Sequence, residues 1–187
     1  VHAIGAQKTI DIAHACGIKS ELEKDDTVSL GSSGVNPLEM ASAYATIANG
    51  GYYYEPYAVT EIVDPSGKTV YTHEAEQPQR VLSAAVAQKA TDILERVISS
   101  GTGTSANLNN GQPCAGKTGT SEHGRDLWFC GFTPQYSTAV WAGYRIERET
   151  SMYGGSTCGP IWRDFMNAAL AGQPIKQFPT TSEKINY

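Results

Sequence analysis

The sequence lacks the features that mark several large classes of protein. Its 187 residues include 14 Lys or Arg against 19 Asp or Glu, so the formal net charge is −5 and the basic excess typical of nucleic-acid-binding proteins is missing. No apolar run approaches the ~18 residues of a transmembrane helix. The first residues do not form a signal peptide, and Met does not come first. We therefore expect an excised part of a longer protein, with any targeting or membrane segment upstream.

Cysteine is scarce, and metal-ligand patterns are missing. None of the four cysteines lies in a C-x-x-C pair, as zinc sites and redox dithiols would require. They are Cys16, Cys114, Cys130 and Cys158. The four histidines show no metal-ligand spacing, so the sequence predicts no metal site. What is present is typical of a globular domain: 40% hydrophobic and 18% charged residues, with 19 Gly, 9 Pro and 10 Tyr that indicate many turns and strands.

Local patterns predict four helices and five strands. The predicted helices cover residues 3–16, 37–48, 83–101 and 160–170, and the predicted strands cover residues 57–63, 69–73, 114–120, 127–132 and 138–145. The clearest helix start has an N-cap residue, Asn36, a proline suited to the first helical position, Pro37, and an acidic residue at the third, Glu39. By the same reasoning Pro160 begins the last helix.

The predicted fold class is α+β, an antiparallel sheet flanked by helices. The last three strands are joined by short links, which is typical of an antiparallel meander. Residues 1–172 are expected to form one portion of a domain, and the tail, residues 173–187, to be poorly ordered. Strand alternation and the helical stripe place four aromatic side chains in the core: Trp128, Phe129, Trp141 and Trp162.

One motif predicts a nucleotide-binding enzyme. Residues Gly111–Thr118 match the phosphate-loop pattern G-x-x-x-x-G-K-[ST]. Such a loop needs a buried strand before it and a helix directly after it, so that backbone N–H groups converge on the phosphates. The polar residues before Gly111 do not predict a strand, and the glycines after Thr118 oppose a helix. The phosphate loop therefore remains only an alternative.

The competing interpretation places Lys117-Thr118-Gly119-Thr120 in a strand. K-T-G is a signature of penicillin-recognising serine enzymes, and its surroundings are specific. R-D-L-W-F-C-G-F-T-P follows at residues 125–134 and A-V-W-A-G-Y at residues 139–144, while N-P-L-E-M-A-S-A-Y-A-T-I-A-N-G-G at residues 36–51 and G-T-G-T at residues 101–104 precede. Together these motifs resemble the C-terminal part of the transpeptidase domain of class A penicillin-binding proteins, over residues from about 1 to 171.

The resemblance implies the penicillin-recognising serine transpeptidase and β-lactamase-like fold, and it implies D,D-transpeptidation without a cofactor. A serine attacks the D-Ala-D-Ala bond of a peptidoglycan stem peptide, and the acyl group then passes to a neighbouring amine. Gly119 lets the substrate backbone approach, and Thr118 and Ser121 also belong to the implied substrate-binding set. The resemblance further implies that Lys117 and Thr120 contact the substrate carboxylate or orient the proton relay, and that the backbone N–H of Thr120 lies in the oxyanion hole.

Two further signatures of that family have no counterpart here. The nucleophilic serine lies in S-x-x-K, which does not occur in the sequence. An S-x-N triplet occurs at Ser105-Ala106-Asn107, but it comes too late in the family order, so we treat it as a coincidence. We expect the chain to begin just downstream of both motifs. It then carries the K-T-G wall of the site but no nucleophile, and it is inactive alone.

The implied partners are peptidoglycan stem peptides, β-lactam antibiotics and the upstream half of the same domain, with no nucleic acid. The implied location is the extracytoplasmic face of the bacterial membrane, with anchoring by an upstream segment. A β-lactamase or D,D-carboxypeptidase is an alternative within the superfamily, and a non-catalytic scaffold is another. Since that location permits disulfides, Cys114 and Cys130 form either a cross-strand bridge, if they pair directly, or two buried free thiols.

Two polar features near the K-T-G strand are expected to be structural. Arg125 and Asp126 form a local ion pair or a polar cap of a turn, and His123 is a loop residue.

Overall fold

The structure is a computed structural model, and it describes residues 3–74 and 76–185. Within these ranges the helices are α1 (Ala6–Ala15), α2 (Pro37–Ala48), α3 (Ala84–Ser99) and α4 (Gly154–Ala169). The strands are β1 (Tyr52–Tyr53), β2 (Glu61–Val63), β3 (Thr69–Thr72), β4 (Gln79–Arg80), β5 (Ala115–Thr120), β6 (Asp126–Phe132) and β7 (Ser137–Gly143). The predicted α+β class is confirmed.

The sheet that organises the fold has the strand order β5-β6-β7, and both pairs of strands are antiparallel. The predicted meander is therefore confirmed. Helices α3 and α4 pack on one face, where the Phe129 and Trp162 rings lie 5.2 Å apart and are fully buried. Helix α2 packs on the other face, where Tyr44 contacts Phe132. A small two-stranded sheet pairs β1 with β4, and a hairpin pairs β2 with β3 between them.

Helix α2 begins and ends where the sequence predicts, because its start is set locally. The Asn36 side chain accepts a hydrogen bond from the Glu39 backbone N–H at 3.0 Å, and Pro37 occupies the first turn. The turn between β2 and β3 is also local, since Asp64 Oδ1 accepts from the N–H groups of Ser66 and Lys68 at 2.8 and 3.0 Å.

The predicted start of the last helix is wrong. Helix α4 begins at Gly154, so Pro160 lies inside the helix and not at its first position. A Cβ at Gly154 would lie 2.1 Å from the Gly119 carbonyl oxygen and 2.5 Å from that of Trp128. The first turn of α4 therefore rests directly on the backbone of β5 and β6. That contact between distant residues sets the start of the helix, and a local capping pattern does not show it.

The aromatic core is confirmed for two of the four predicted residues. Phe129 and Trp162 are fully buried, and the Trp162 indole N–H donates to the carbonyl oxygens of Gly131 and Thr138 at 3.2 and 3.1 Å. Trp128 is half-buried, and Trp141 is 40% exposed. The prediction of a core position is wrong for Trp141, because it lies on the opposite face of the sheet, beyond the part that α2 covers.

The cysteines are free thiols in the structure, and all four are buried. Cys130 lies opposite Lys117 in the β5–β6 ladder, whereas Cys114 precedes β5. The two cysteines therefore do not pair directly, and the free-thiol alternative is the one observed. Burial raises the pKa of the Cys130 thiol to about 12 and also raises that of Cys16, Cys114 and Cys158.

Candidate functional site

The candidate site lies along the outer edge of β5, where the described residues contribute no further strand. The Ser121 backbone N–H donates to the Asp126 carbonyl at 2.9 Å, so the main-chain groups of Ser121 point toward β6. In an antiparallel ladder the direction alternates from one residue to the next. The N–H and C=O groups of Thr118 and Thr120 therefore point outward, away from β6.

Lys117 places its charge at this edge. Its side chain is exposed, and Nζ donates to the Thr118 carbonyl oxygen at 2.8 Å. An exposed bond of this kind is weak because water competes for both groups. The ammonium group is thus held beside the outward main-chain groups of β5 and remains available to an anionic ligand.

Thr118 is linked to the loop that precedes the strand. Its Oγ1 lies 2.7 Å from Oγ1 of Thr102, which belongs to the G-T-G-T loop after α3. Either hydroxyl can be the donor, so one of the two keeps a proton for another acceptor. Sequence reasoning did not single out Thr102, because the two threonines are 16 residues apart and no local pattern connects them.

Thr120 lies at the end of β5 and is held by helix α4. Its Oγ1 accepts a hydrogen bond from the Gly154 backbone N–H at 3.0 Å. Because the hydroxyl acts as acceptor there, its own proton remains available to donate. The contact fixes the Thr120 side chain relative to the first turn of α4. Gly154 is therefore a site residue that the sequence analysis missed.

Gly119 and Ser121 lie in the same segment, but their main-chain groups point toward β6 and not toward the open edge. A Cβ at Gly119 would lie 3.0 Å from Cβ of Trp128, so glycine here also relieves crowding on the face of the sheet. The Ser121 hydroxyl accepts from the Asp126 backbone N–H at 2.7 Å. Ser121 thus caps the turn between β5 and β6.

That turn is fixed by the segment that follows β7. The Thr150 N–H donates to the His123 carbonyl at 2.9 Å, and its hydroxyl donates to the Gly124 carbonyl at 2.7 Å. His123 is a turn residue with φ 58°, which agrees with its predicted place in a loop. Thr150 is a second residue that sequence reasoning did not find.

Of the two alternatives for Arg125 and Asp126, the local ion pair does not form, and polar contacts around the β5–β6 turn are observed instead. Arg125 contacts Glu147 and Glu149 at 3.4 and 3.1 Å, and these carboxylates raise its pKa. The Asp126 carboxylate accepts from the Trp141 indole N–H at 2.9 Å. Arg125 thus connects the β5–β6 turn with the segment after β7, and Asp126 connects β6 with β7.

The phosphate-loop alternative is wrong. Lys117 and Thr118 lie inside β5, whereas a phosphate loop needs a helix at this point, and residues 107–114 form no strand before it. Ser105, in the S-x-N triplet, donates its hydroxyl to the Gly155 carbonyl under α4 and does not face the edge of β5.

The described residues contain no cluster of His, Cys, Asp or Glu able to hold a metal ion. No helix in the ranges 3–74 and 76–185 has the length and apolar character needed to cross a membrane. The four thiols are poor nucleophile candidates, since buried cysteines with raised pKa values carry little thiolate at neutral pH.

Comparison with known proteins assigns this arrangement to a family. The family model described as the penicillin binding protein transpeptidase domain matches residues 12–167. Penicillin-binding protein 1A of Clostridium botulinum strain Langeland is 38% identical over 183 residues, which cover 95% of this chain and 22% of that protein. The chain thus spans about a fifth of the length of that curated relative.

Solved structures agree with the sequence comparison. The penicillin-binding protein PonA1 of Mycobacterium tuberculosis superposes with a TM-score of 0.85 at 30% identity, over 95% of this chain and 53% of that one. The same protein in complex with penicillin V gives a TM-score of 0.84 at 30% identity, with the same coverage. The edge strand with its K-T-G sequence, the meander and these matches together show that the chain belongs to the penicillin-binding protein transpeptidase domain family.

Proposed function

We propose that this chain forms the substrate-binding wall of a peptidoglycan D,D-transpeptidase, and that the serine nucleophile belongs to a segment outside these 187 residues. One observation carries the proposal: the open edge of β5 presents the Thr120 N–H, the Thr118 carbonyl and the Lys117 ammonium group side by side. Membership of the transpeptidase family supports it, as does the absence of S-x-x-K from the sequence.

The edge suits an extended peptide. A stem peptide ending in D-Ala-D-Ala can lie alongside β5 and pair with its outward N–H and C=O groups, as in strand addition. In the free chain Lys117 Nζ donates a hydrogen bond to the Thr118 carbonyl oxygen, and this bond must break when a substrate pairs with that carbonyl. Because the bond is exposed, breaking it costs little.

The same residues suit the charge of the substrate. The terminal carboxylate of the stem peptide would accept from Lys117 Nζ and from the hydroxyls of Thr118 and Thr120. Hydrogen bonds to charged groups contribute about 1.5–3 kcal/mol each. The Thr120 hydroxyl oxygen accepts a hydrogen bond from the Gly154 N–H, so the hydroxyl proton is not used in that bond and can be donated to the carboxylate. Helix α4 would thus orient the hydroxyl toward the ligand.

The Thr120 N–H would serve as one of two oxyanion-hole donors. Attack by the serine oxygen on the D-Ala carbonyl places a negative charge on the carbonyl oxygen, and an N–H at the strand edge stabilises it. Such a donor contributes about 2.7–4 kcal/mol where it has been removed elsewhere. Collapse of this intermediate releases D-Ala. The amine of a neighbouring peptidoglycan strand then attacks the acyl group and displaces the serine oxygen.

β-Lactams would bind at the same edge, since they imitate the acyl donor and leave a stable acyl-enzyme. The structure of PonA1 in complex with penicillin V supports this part of the proposal. The protein would act at the extracytoplasmic face of the bacterial membrane, anchored by an upstream segment.

The uncovered face beside β5 supports a contact with the rest of the domain. Lys117, Gly119 and Trp128 lie on this face, and Trp141, directly opposite Trp128, is 40% exposed there. We propose that the upstream half of the domain covers it and brings the serine to the edge of β5.

The test compares acylation rates in the protein encoded by the complete reading frame. Lys117→Ala is compared with Lys89→Ala, a matched control on the exposed side of α3. The second-order rate with a fluorescent penicillin is expected to fall by about 10- to 150-fold in Lys117→Ala, because one charge-assisted contact is lost. The control is expected to keep the wild-type rate. Equal rates in the two variants would contradict the proposed role of β5.

A further inference from the structure

The segment after α4 makes contacts that neither the family match nor the proposed function explains. Residues 173–185 contain no helix or strand, and they lie beyond residues 12–167, which match the family model. The segment's contacts with Gln112, Phe132 and Gln135 lie at the end of the sheet where β5 begins. Ala115, the first residue of β5, pairs with Phe132 and lies five residues, or ~17 Å along the strand, from Thr120. These contacts belong to a different surface from the candidate active site.

Gln112 is the first anchor. Its Nε2 donates to the Lys176 carbonyl at 2.7 Å, and its Oε1 accepts from the Lys176 N–H at 3.1 Å. One side-chain amide thereby satisfies both main-chain groups of a single residue, as a neighbouring strand would. Gln112 is only 5% exposed, so these bonds form in a place where water competes poorly. These bonds involve only main-chain groups of the segment, so they do not depend on the Lys176 side chain.

Two further glutamines extend the main-chain contacts. Gln135 Nε2 donates to the Pro174 carbonyl at 3.0 Å and to Gln112 Oε1 at 3.1 Å. Because both partners are acceptors, the orientation of the Gln135 amide is fixed. Gln88 Oε1, on α3, accepts from the Thr181 N–H at 2.8 Å. The three glutamines come from three different parts of the chain and meet one extended segment.

Two side chains of the segment are bound as well. The Phe178 ring packs edge-on against Phe132 with centroids 5.4 Å apart, and Phe132 is fully buried. Glu183 Oε2 accepts from the Ala85 N–H at 3.3 Å, in the first turn of α3. A carboxylate is favoured there by the helix dipole. Proline at 174 and 179 restricts the residue before it to extended conformations, so less entropy is lost on docking.

We propose that Gln88, Gln112, Gln135, Phe132 and the first turn of α3 form a binding groove for an extended peptide, and that residues 174–183 of this chain occupy it. The groove takes a peptide with an aromatic side chain two residues after the backbone-clamped position and a carboxylate five residues further on. Residues 174–183 are thus a strap that joins α4, the β6–β7 turn, β6 and α3 at the end of the sheet opposite the candidate active site.

The first test separates the groove from its occupant. A chain ending at Gly172 is mixed with a labelled peptide of residues 173–185, and binding is followed by fluorescence anisotropy. Binding is expected, and Phe178→Ala in the peptide is expected to weaken it by about tenfold, because the contact between its ring and the buried Phe132 is lost. Ile175→Ala is the matched control, since Ile175 is 57% exposed, and it should bind like the native peptide. A folded truncated chain that does not bind the peptide would overturn the proposal.

The second test does not need the truncated chain to fold. Hydrogen exchange is measured at the Lys176 and Thr181 amides in the untruncated 187-residue chain. Both are expected to be protected, and Phe178→Ala is expected to speed their exchange by about tenfold while Ile175→Ala does not. The expectation that residues 173–187 are poorly ordered predicts unprotected exchange at both amides. Unprotected exchange at both amides would overturn the proposed strap. Protection that is found only when sedimentation shows the chain to be a dimer would overturn it as well.

Discussion

Adding one methyl group at Gly154 should destabilise the protein and loosen Thr120. The new Cβ would lie 2.1 Å from the Gly119 carbonyl oxygen and 2.5 Å from that of Trp128. Both are backbone atoms of the central sheet and cannot rotate away, so α4 must shift. Overpacking of this kind costs about 1–3 kcal/mol, and loss of the bond from Gly154 N–H to Thr120 adds about 0.5–1.5 kcal/mol. Alanine has a higher helix propensity than glycine, which offsets up to ~1 kcal/mol of this loss.

The net expectation for Gly154→Ala is therefore a loss of roughly 0.5–4.5 kcal/mol in the free energy of unfolding. Urea denaturation followed by tryptophan fluorescence measures it. Gly34→Ala is the matched control, because a Cβ at Gly34 meets nothing within 4 Å, and it should be neutral or slightly stabilising. If both variants unfold at the same urea concentration, the close contact between α4 and the sheet is not as described.

Three further predictions concern the cysteines and the capping of α2. The pKa of Cys130, about 12, lies above the ordinary 9.0, so the thiol favours the folded state fully below pH 9 and this stability is lost between pH 9 and 12. The loss at pH 10 is on the order of 1 kcal/mol, and Cys130→Ala should flatten the alkaline stability profile by a similar amount. Thiol titration in denaturant without reductant should find four thiols, and fewer would contradict the free cysteines. Asn36→Ala should lower the free energy of unfolding by ~1 kcal/mol in urea denaturation, since the cap on the Glu39 N–H is lost, and an unchanged midpoint would argue against that cap.

The parts of the fold that the sequence predicted are those set by neighbouring residues. Helix α2 was placed correctly because Asn36 and Pro37 fix its start within one turn. The meander was found because the last three strands are joined by short links. The start of α4 was missed because Gly154 is held by the backbone of β5, some 35 residues earlier, and no local pattern records that contact.

The site shows the same division. Lys117 and Thr120 were found through the K-T-G motif, and the β5–β6 register gives the direction of their main-chain groups. Thr102 and Thr150 were missed because each acts on the strand or its turn from a distant loop. Trp141 was misplaced because alternation predicts which side chains share a face, but not how far a helix covers that face.

The proposed function requires that β5 supplies one wall of an acyl-transfer site whose serine lies outside these 187 residues. The most direct measurement maps the penicillin adduct by mass spectrometry in the protein encoded by the complete reading frame. We expect one penicilloyl group on a serine of an S-x-x-K sequence upstream of Val1, and no adduct on the 187-residue chain alone. A stoichiometric adduct on any serine of this chain, or no adduct on the complete protein, would contradict it.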